Sequence, residues 1–172
     1  AVAFDKTGTL TEGTPKVTDV IGFAQSAADV LKFAAALEVG SSHPLAGAIL
    51  ARAAVDKVIP PHTTDATAFG GKGVAATVDG KTVFLGSLQA AGERVALSAD
   101  QTARVTALHD EGKTVSVLIV DGGVAGAIAL RDEPRADAQA GLKALTDSGI
   151  KTVMLTGDNQ RTATAIGKQL GI

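Results

Sequence analysis

Cysteine, tryptophan and tyrosine are all missing from the 172 residues, five phenylalanines supply the only aromatic rings, and neither sign of charge dominates. Each absence excludes something. Without Cys there can be no disulfide, no thiolate zinc site and no cysteine nucleophile, so any metal would fall to oxygen or imidazole ligands. With 16 Lys+Arg against 18 Asp+Glu and few rings, the chain lacks both the basic excess that neutralises phosphate backbones and the platforms on which bases stack, so no nucleic-acid partner is expected. No apolar run approaches the roughly 18 residues of a membrane span, and no basic segment followed by an apolar run opens the chain, so a soluble chain is expected. Internal repeats and low-complexity tracts are absent too. The start on Ala1 to Phe4 and the stop at Leu170-Gly171-Ile172 are those expected of a piece of something longer.

What is present is enough apolar sequence for one ordinary domain or two small ones, with 45% hydrophobic residues. Its two ends read alike. Ala1 to Phe4 is a short apolar run before a Gly/Thr-rich turn, and Lys151 to Leu155 is another, followed by Thr156-Gly157-Asp158. Ala138, Leu142 and Leu145 fall at helical spacing, as do Ala163, Ile166 and Leu170. Helix, buried strand and helix predict a parallel α/β unit. The middle carries hairpin signals instead. Val74 to Val78 and Lys81 to Leu85 flank Asp79-Gly80, whose residues tolerate the positive φ of a tight turn, and Val115 to Val120 and Val124 to Leu130 flank Asp121-Gly122-Gly123. Ser26 to Asp29 and Ser98 to Gln101 resemble capping boxes that open helices, and Pro44 opens a third at Leu45 to Val55. The expected organisation is an antiparallel α+β module, residues 14–129, inserted into a parallel α/β module made of 1–13 and 130–172. Gly13-Thr14-Pro15 and Asp132-Glu133-Pro134 mark the joints.

The chemistry concentrates at the strand ends. Asp5, in Asp5-Lys6-Thr7-Gly8-Thr9, lies where open α/β sheets place ligands, and its carboxylate can serve as nucleophile or cation ligand. Thr156-Gly157-Asp158-Asn159 follows the second strand and opens a helix, so its N–H groups and the Thr156 hydroxyl could hold a phosphate. Taken alone, Asp158 reads as a helix N-cap, His43 as a helix-start residue, and Gly70 to Gly73 as a loop before a hairpin. His62, His109 and Met154 carry no such signal, and Asp132 and Arg135 read mainly as hinge residues.

The motifs DKTGTLT and MLTGDN, with the predicted insertion between them, resemble the phosphorylation domain of P-type ATPases, a branch of the haloacid dehalogenase-like fold. Related phosphatases carry an acid/base Asp two positions after the nucleophile; Thr7 stands there here, which would let an aspartyl-phosphate persist. Within the insertion, Ser41-Ser42-His43-Pro44-Leu45-Ala46 and Gly71-Lys72-Gly73 resemble the signatures of the heavy-metal subgroup. The resemblance implies a truncated parallel α/β phosphorylation domain and an inserted nucleotide-binding domain, with ATP and Mg²⁺ as ligands. It implies Glu38, His43, Gly71, Gly73 and Gly86 at the adenine, and Asp5 as the phosphorylated residue, with Lys6 offsetting phosphate charge. Thr156, Gly157 and Asp158 would hold the transferred group, and Asp5 and the Thr7 carbonyl would hold Mg²⁺. Ser42 leans toward zinc, cadmium or cobalt as cargo rather than copper. The parent would sit in a membrane, expected to be a bacterial plasma membrane, with this part on the cytoplasmic face beside the transmembrane and actuator domains, and the isolated piece would be monomeric. A Gly-Asp-Gly-x-Asn-Asp segment and a preceding phosphate-binding Lys, which the family has, are not in the sequence, so slow turnover is expected. The rival readings are a soluble phosphatase on the same fold and a non-catalytic nucleotide sensor.

One expectation concerns the cargo. With no Cys, and with His43, His62 and His109 at no ligand spacing, the chain should show no tight stoichiometric site for Zn²⁺, Co²⁺ or Cu⁺. Calorimetry in a non-coordinating buffer checks this; a tight one-to-one isotherm would move metal selection into this chain.

Overall fold

The computed structural model describes all residues from Ala1 to Ile172. A small parallel pair joins β1 (Val2–Asp5) to β8 (Thr152–Leu155), with α5 (Ala138–Asp147) and α6 (Gln160–Leu170) beside it. Between them lies a six-stranded antiparallel sheet in the order β2-β7-β6-β5-β4-β3. Its strands are β2 (Lys16–Gly22), β3 (Thr63–Phe69), β4 (Gly73–Val78), β5 (Lys81–Gly86), β6 (Thr114–Val120) and β7 (Gly123–Arg131). The helices α1 (Ala27–Glu38) and α2 (Pro44–Val55) contribute to the core on one face, and α3 (Leu88–Gly92) and α4 (Ala99–Asp110) to the core on the other. The expected fold class is borne out: a parallel α/β part and an antiparallel α+β part within one chain.

Covering both faces explains the composition of the central strands. Antiparallel strands with one wet face alternate apolar and polar residues, whereas β7 is buried from Val124 to Leu130 without interruption. One core gathers Val30, Leu31, Ile49, Val78, Val83 and Leu118; the other gathers Phe84, Val105, Leu108, Val117 and Ala127. A third, smaller core of Leu10, Leu142, Ile166 and Leu170 serves the parallel part.

The local signals resolve in different ways. Both hairpin turns have positive φ at the aspartate and at the following glycine, 49° and 73° at Asp79-Gly80 and 48° and 77° at Asp121-Gly122. The second turn is one residue shorter than the sequence suggests: Gly123 pairs with Val120, and an irregularity between Leu118 and Ile119 absorbs the extra residue. Ser98 and Gln101 form a complete capping box, but Ser26 caps only the Asp29 N–H, because Asp29 uses its carboxylate on the Ser26 hydroxyl rather than on its backbone. The edge strands β2 and β3 gave no clear signal, since both carry register shifts and β3 is polar and mostly exposed.

Two crossings connect the parts, at residues 10–13 and 132–135, and they pair with each other. Glu12 N–H donates to the Glu133 carbonyl at 2.9 Å and Arg135 N–H to the Leu10 carbonyl at 2.9 Å. Asp132 spans both: its carboxylate accepts from the fully buried Thr11 hydroxyl at 2.6 Å and from Gly13 N–H at 2.9 Å. Asp132 is therefore a hinge residue in a physical sense. Asp132→Ala removes the charged acceptor of both bonds and leaves the buried Thr11 hydroxyl with only the Lys6 carbonyl, at 3.0 Å, as its acceptor, which should cost about 1–3 kcal/mol. Urea unfolding measures it; an unchanged midpoint would mean that the backbone pairing alone holds the crossings.

Candidate functional site

The parallel register of β1 and β8 sets Asp5 opposite Leu155, so the loops that follow leave the sheet side by side at its carboxyl edge. Open α/β sheets bind ligands at this edge. The first loop, Lys6 to Leu10, is tight: Thr7 is extended, Gly8 takes φ +77°, and Thr11 N–H returns to the Lys6 carbonyl at 3.0 Å. Asp5 is exposed at its mouth, while Lys6 is only 6% exposed.

Lys6 turns inward. Its ammonium pairs with Asp158 of the second loop, with both side chains about nine-tenths buried. Asp158 also accepts from the Thr156 hydroxyl at 3.0 Å, while its own N–H donates to that oxygen at 3.1 Å. Its other carboxylate oxygen accepts from the Thr114 hydroxyl of β6 at 3.2 Å, so one carboxylate joins both loops and the antiparallel part. Asp158 is not the helix cap that its position suggests. Asn159 caps α6 by accepting from Thr162 N–H at 3.1 Å, which leaves Asp158 free for these contacts. Gly157 lies open on the surface, with nothing within 4 Å of where a Cβ would stand.

The contact between the parts continues along α4 and α6. Arg161 Nη1 donates to both carboxylate oxygens of Asp110 at 2.9 and 3.0 Å, and the Thr162 hydroxyl donates to the Lys113 carbonyl at 2.9 Å. His109, missed as a feature by sequence reasoning, is 5% exposed at the end of α4, and burial chiefly pushes its pKa down against the opposing pull of Asp110 and Asp158. A neutral imidazole at this joint had no signal in the sequence, because its burial depends on a helix some 50 residues away.

In the antiparallel part, Glu38 ends α1 and His43 caps α2, with its Nδ1 accepting from Leu45 N–H at 3.2 Å. His43 is thus a helix-start residue whose other ring nitrogen remains available. Glu38 lies within electrostatic reach of His43 and accepts from Ser41. Gly73 and Gly86 are cross-strand partners. A Cβ at Gly73 would stand 2.3 Å from the Leu85 carbonyl oxygen and 2.8 Å from Phe84 Cζ, and one at Gly86 would stand 2.3 Å from the Lys72 carbonyl oxygen and 2.5 Å from Phe84 Cζ, so the room those glycines leave is taken by neighbouring backbone and by the Phe84 ring. Gly71 differs: it takes φ +69° and faces open space. The structure therefore brings Glu38 and His43 together, and Gly73 and Gly86 together. Of the glycines named from sequence in this part, Gly71 has the most approachable backbone.

Comparison with known proteins fits this geometry. A model of haloacid dehalogenase-like hydrolases matches residues 1–172.

The chain belongs to the haloacid dehalogenase-like hydrolase family.

The expected kinship with heavy-metal P-type ATPases is borne out as well. The chain is 44% identical to a copper-transporting P-type ATPase of Rhizobium leguminosarum bv. viciae over 169 residues, 98% of this chain and 20% of that protein. It is 41% identical to a zinc/cadmium/lead-transporting P-type ATPase of Escherichia coli (strain K12) over 174 residues, 99% of this chain and 23% of that one. A zinc-transporting PIB-type ATPase, solved in its E2.Pi state, superposes with TM-score 0.72 and 39% identity, covering 99% of this chain and 28% of that structure. The chain thus spans about a fifth to a quarter of the length of these two sequence relatives. No helix in it is long and apolar enough to cross a membrane.

Burial sets a testable pH dependence. It pushes the Glu38 carboxyl above the usual carboxylate range, and the neighbouring His43 and the bond from Ser41 pull the other way without cancelling it. A carboxyl with a raised folded pKa binds its proton more tightly in the folded chain, so its stabilising contribution is complete below the unfolded pKa and is lost as pH rises through the folded one. Glu38→Gln should therefore be more stable than the parent at about pH 7, with the advantage fading toward about pH 4. Thermal midpoints across that range test the sign.

Proposed function

We propose that this chain is the ATP-binding and phosphorylation segment of a heavy-metal-transporting P-type ATPase, with residues 14–129 as its nucleotide-binding module and 1–13 with 130–172 belonging to its phosphorylation module. The observation that carries the reading is the exposed Asp5 carboxylate beside Thr156 and Gly157, on two loops leaving adjacent parallel strands. Glu38, His43 and Gly71 would receive the adenine. The γ-phosphorus would be attacked by an Asp5 carboxylate oxygen as its bond to the ADP oxygen breaks, giving an aspartyl-phosphate and ADP. The open Gly157 backbone and the Thr156 hydroxyl would steady the transferred group. Gly73 and Gly86 would act from behind by shaping the loop.

Asp5 also suits Mg²⁺: an exposed carboxylate, with the Thr7 carbonyl in the loop that follows it, is the hard-oxygen set that this ion accepts alongside phosphate and water. When bound, the ion would offset charge on the phosphates. Lys6 supports the site differently from a direct phosphate contact, because its ammonium ties the phosphorylation loop to Asp158. Thr7 stands where a phosphatase would have its acid/base, which favours a lasting aspartyl-phosphate over rapid hydrolysis. In the whole pump, that phosphoenzyme would bias membrane helices between two access states, with this segment on the cytoplasmic face. The cargo would be a soft or borderline heavy-metal cation. Ser42 inclines the reading to zinc, cadmium or cobalt, although copper- and zinc-named relatives match this chain almost equally.

ATP should bind weakly, with Kd on the order of 0.1 to 1 mM, since few polar anchors hold an exposed ligand. His43→Ala should weaken binding by about fivefold, the equivalent of one lost hydrogen bond. NMR titration checks both. In a pump carrying this segment, Asp5→Asn should abolish a hydroxylamine-sensitive phosphoenzyme while leaving ATP binding intact; a surviving phosphoenzyme would remove Asp5 from the nucleophile's role.

A further inference from the structure

The loop between β3 and β4, Gly70 to Lys72, is held from one side by the short helix α3. The Lys72 carbonyl accepts from Ser87 N–H at 3.1 Å, and Ser87 in turn caps α3 through Ala90 N–H at 3.2 Å. The Lys72 ammonium pairs with Glu93 at 3.1 Å. Arg94, fixed by its N–H bond to the Ala91 carbonyl at 3.0 Å, places its guanidinium 3.9 Å from the centre of the Phe84 ring and 4.7 Å from that of Phe69. Those rings meet edge to face at 6.4 Å, and Phe69 is the residue that leads into the glycine loop. The Phe84 ring fills the space left by Gly73 and Gly86. Guanidinium, rings and glycine backbone form one contiguous cluster whose outermost loop residue, Gly71, faces open space.

We propose that Arg94 is a positioning residue for nucleotide recognition: by packing its guanidinium against Phe84 and Phe69 it holds the Gly70 to Gly73 loop in the shape that presents the Gly71 backbone to the base. The inference rests on the reading above that Gly71 meets adenine. The physical basis is that a guanidinium held close to two rings is attracted by both quadrupoles and is more weakly hydrated than an ammonium. Arg94 contacts no nucleotide in this scheme. Its effect passes through the rings.

The test compares the unaltered chain with Arg94→Ala and Arg94→Lys, first without ligand and then with ATP and with adenosine. Without ligand, Arg94→Ala should shift the amide resonances of Gly71, Gly73 and Gly86 and speed their hydrogen exchange, leaving those of Glu38 and His43 in place. With ligand, Kd should rise by about two- to fivefold, the scale of cation–π attraction at a partly exposed site, and by the same factor for ATP and adenosine because the base is what the loop presents. Arg94→Lys should recover part of both effects. Loop amides unmoved by Arg94→Ala would overturn the proposal, as would a loss confined to ATP, which would make Arg94 a direct phosphate contact. A unaltered chain that binds neither ligand would instead sink the proposed nucleotide site and the recognition role with it, while the loop amides would still decide whether Arg94 shapes the loop.

Discussion

The Lys6 ammonium and the Asp158 carboxylate meet where both are almost wholly removed from water. Taking either charge from water is expensive, and leaving one behind without its partner costs about 3–5 kcal/mol in comparable buried pairs. The two loops that would handle phosphate are therefore not independent: Asp5 and Thr7 on one, and Thr156 and Gly157 on the other, take their places around this pair. Thr114 adds the antiparallel part to the same carboxylate. A change in how the parts meet is thus felt at the loop that follows Asp5 through a single side chain.

This arrangement gives division of labour a physical form. The residues that would touch ligand, Asp5, Gly157, His43 and Gly71, are exposed. Those that orient them are buried or engaged with one another: Lys6, Asp158, Phe84, and Thr11 with Asp132 at the hinge. Gly73 and Gly86 belong to the second group, because the room they leave is filled by Phe84. Two kinds of glycine therefore occur within one short motif. Gly71 leaves its backbone open to solvent, whereas Gly73 lets a neighbouring strand and ring come close.

The joint between the parts combines a clamp at the crossings with side-chain contacts between helices. Asp132 clamps both crossings over short distances, so the parts stay tethered whatever their angle. The contacts along α4 and α6 are mixed: Arg161 and Asp110 are exposed and such pairs contribute little, whereas the fully buried Thr162 hydroxyl donates to the Lys113 carbonyl. His109 is shielded there too, at the end of α4, where burial chiefly pushes its pKa down.

Much of this was legible before any coordinates. Asp79-Gly80 and Asp121-Gly122 announced hairpins because a turn's backbone angles are decided by the residues within it, and Ser98 with Gln101 announced a helix start for the same reason. The alternation of parallel-type and hairpin-type patterns foretold one unit set into another, and the motifs around Asp5 and Thr156 drew attention to two strand ends. Register was harder to read, as the shortened second turn shows, because an irregularity in one strand can absorb a residue that local signals assign to the loop. The edge strand β3 was illegible for want of apolar alternation. Only the tertiary structure decided that Lys6 faces Asp158 rather than outward, that Asn159 and not Asp158 caps α6, and that Phe84 occupies the hollow at Gly73 and Gly86. Lys6 and Asp158 stand 152 positions apart. Their meeting depends on how two strands are brought into register by packing, and no pattern local to either residue encodes a partner that the rest of the chain must fold to deliver.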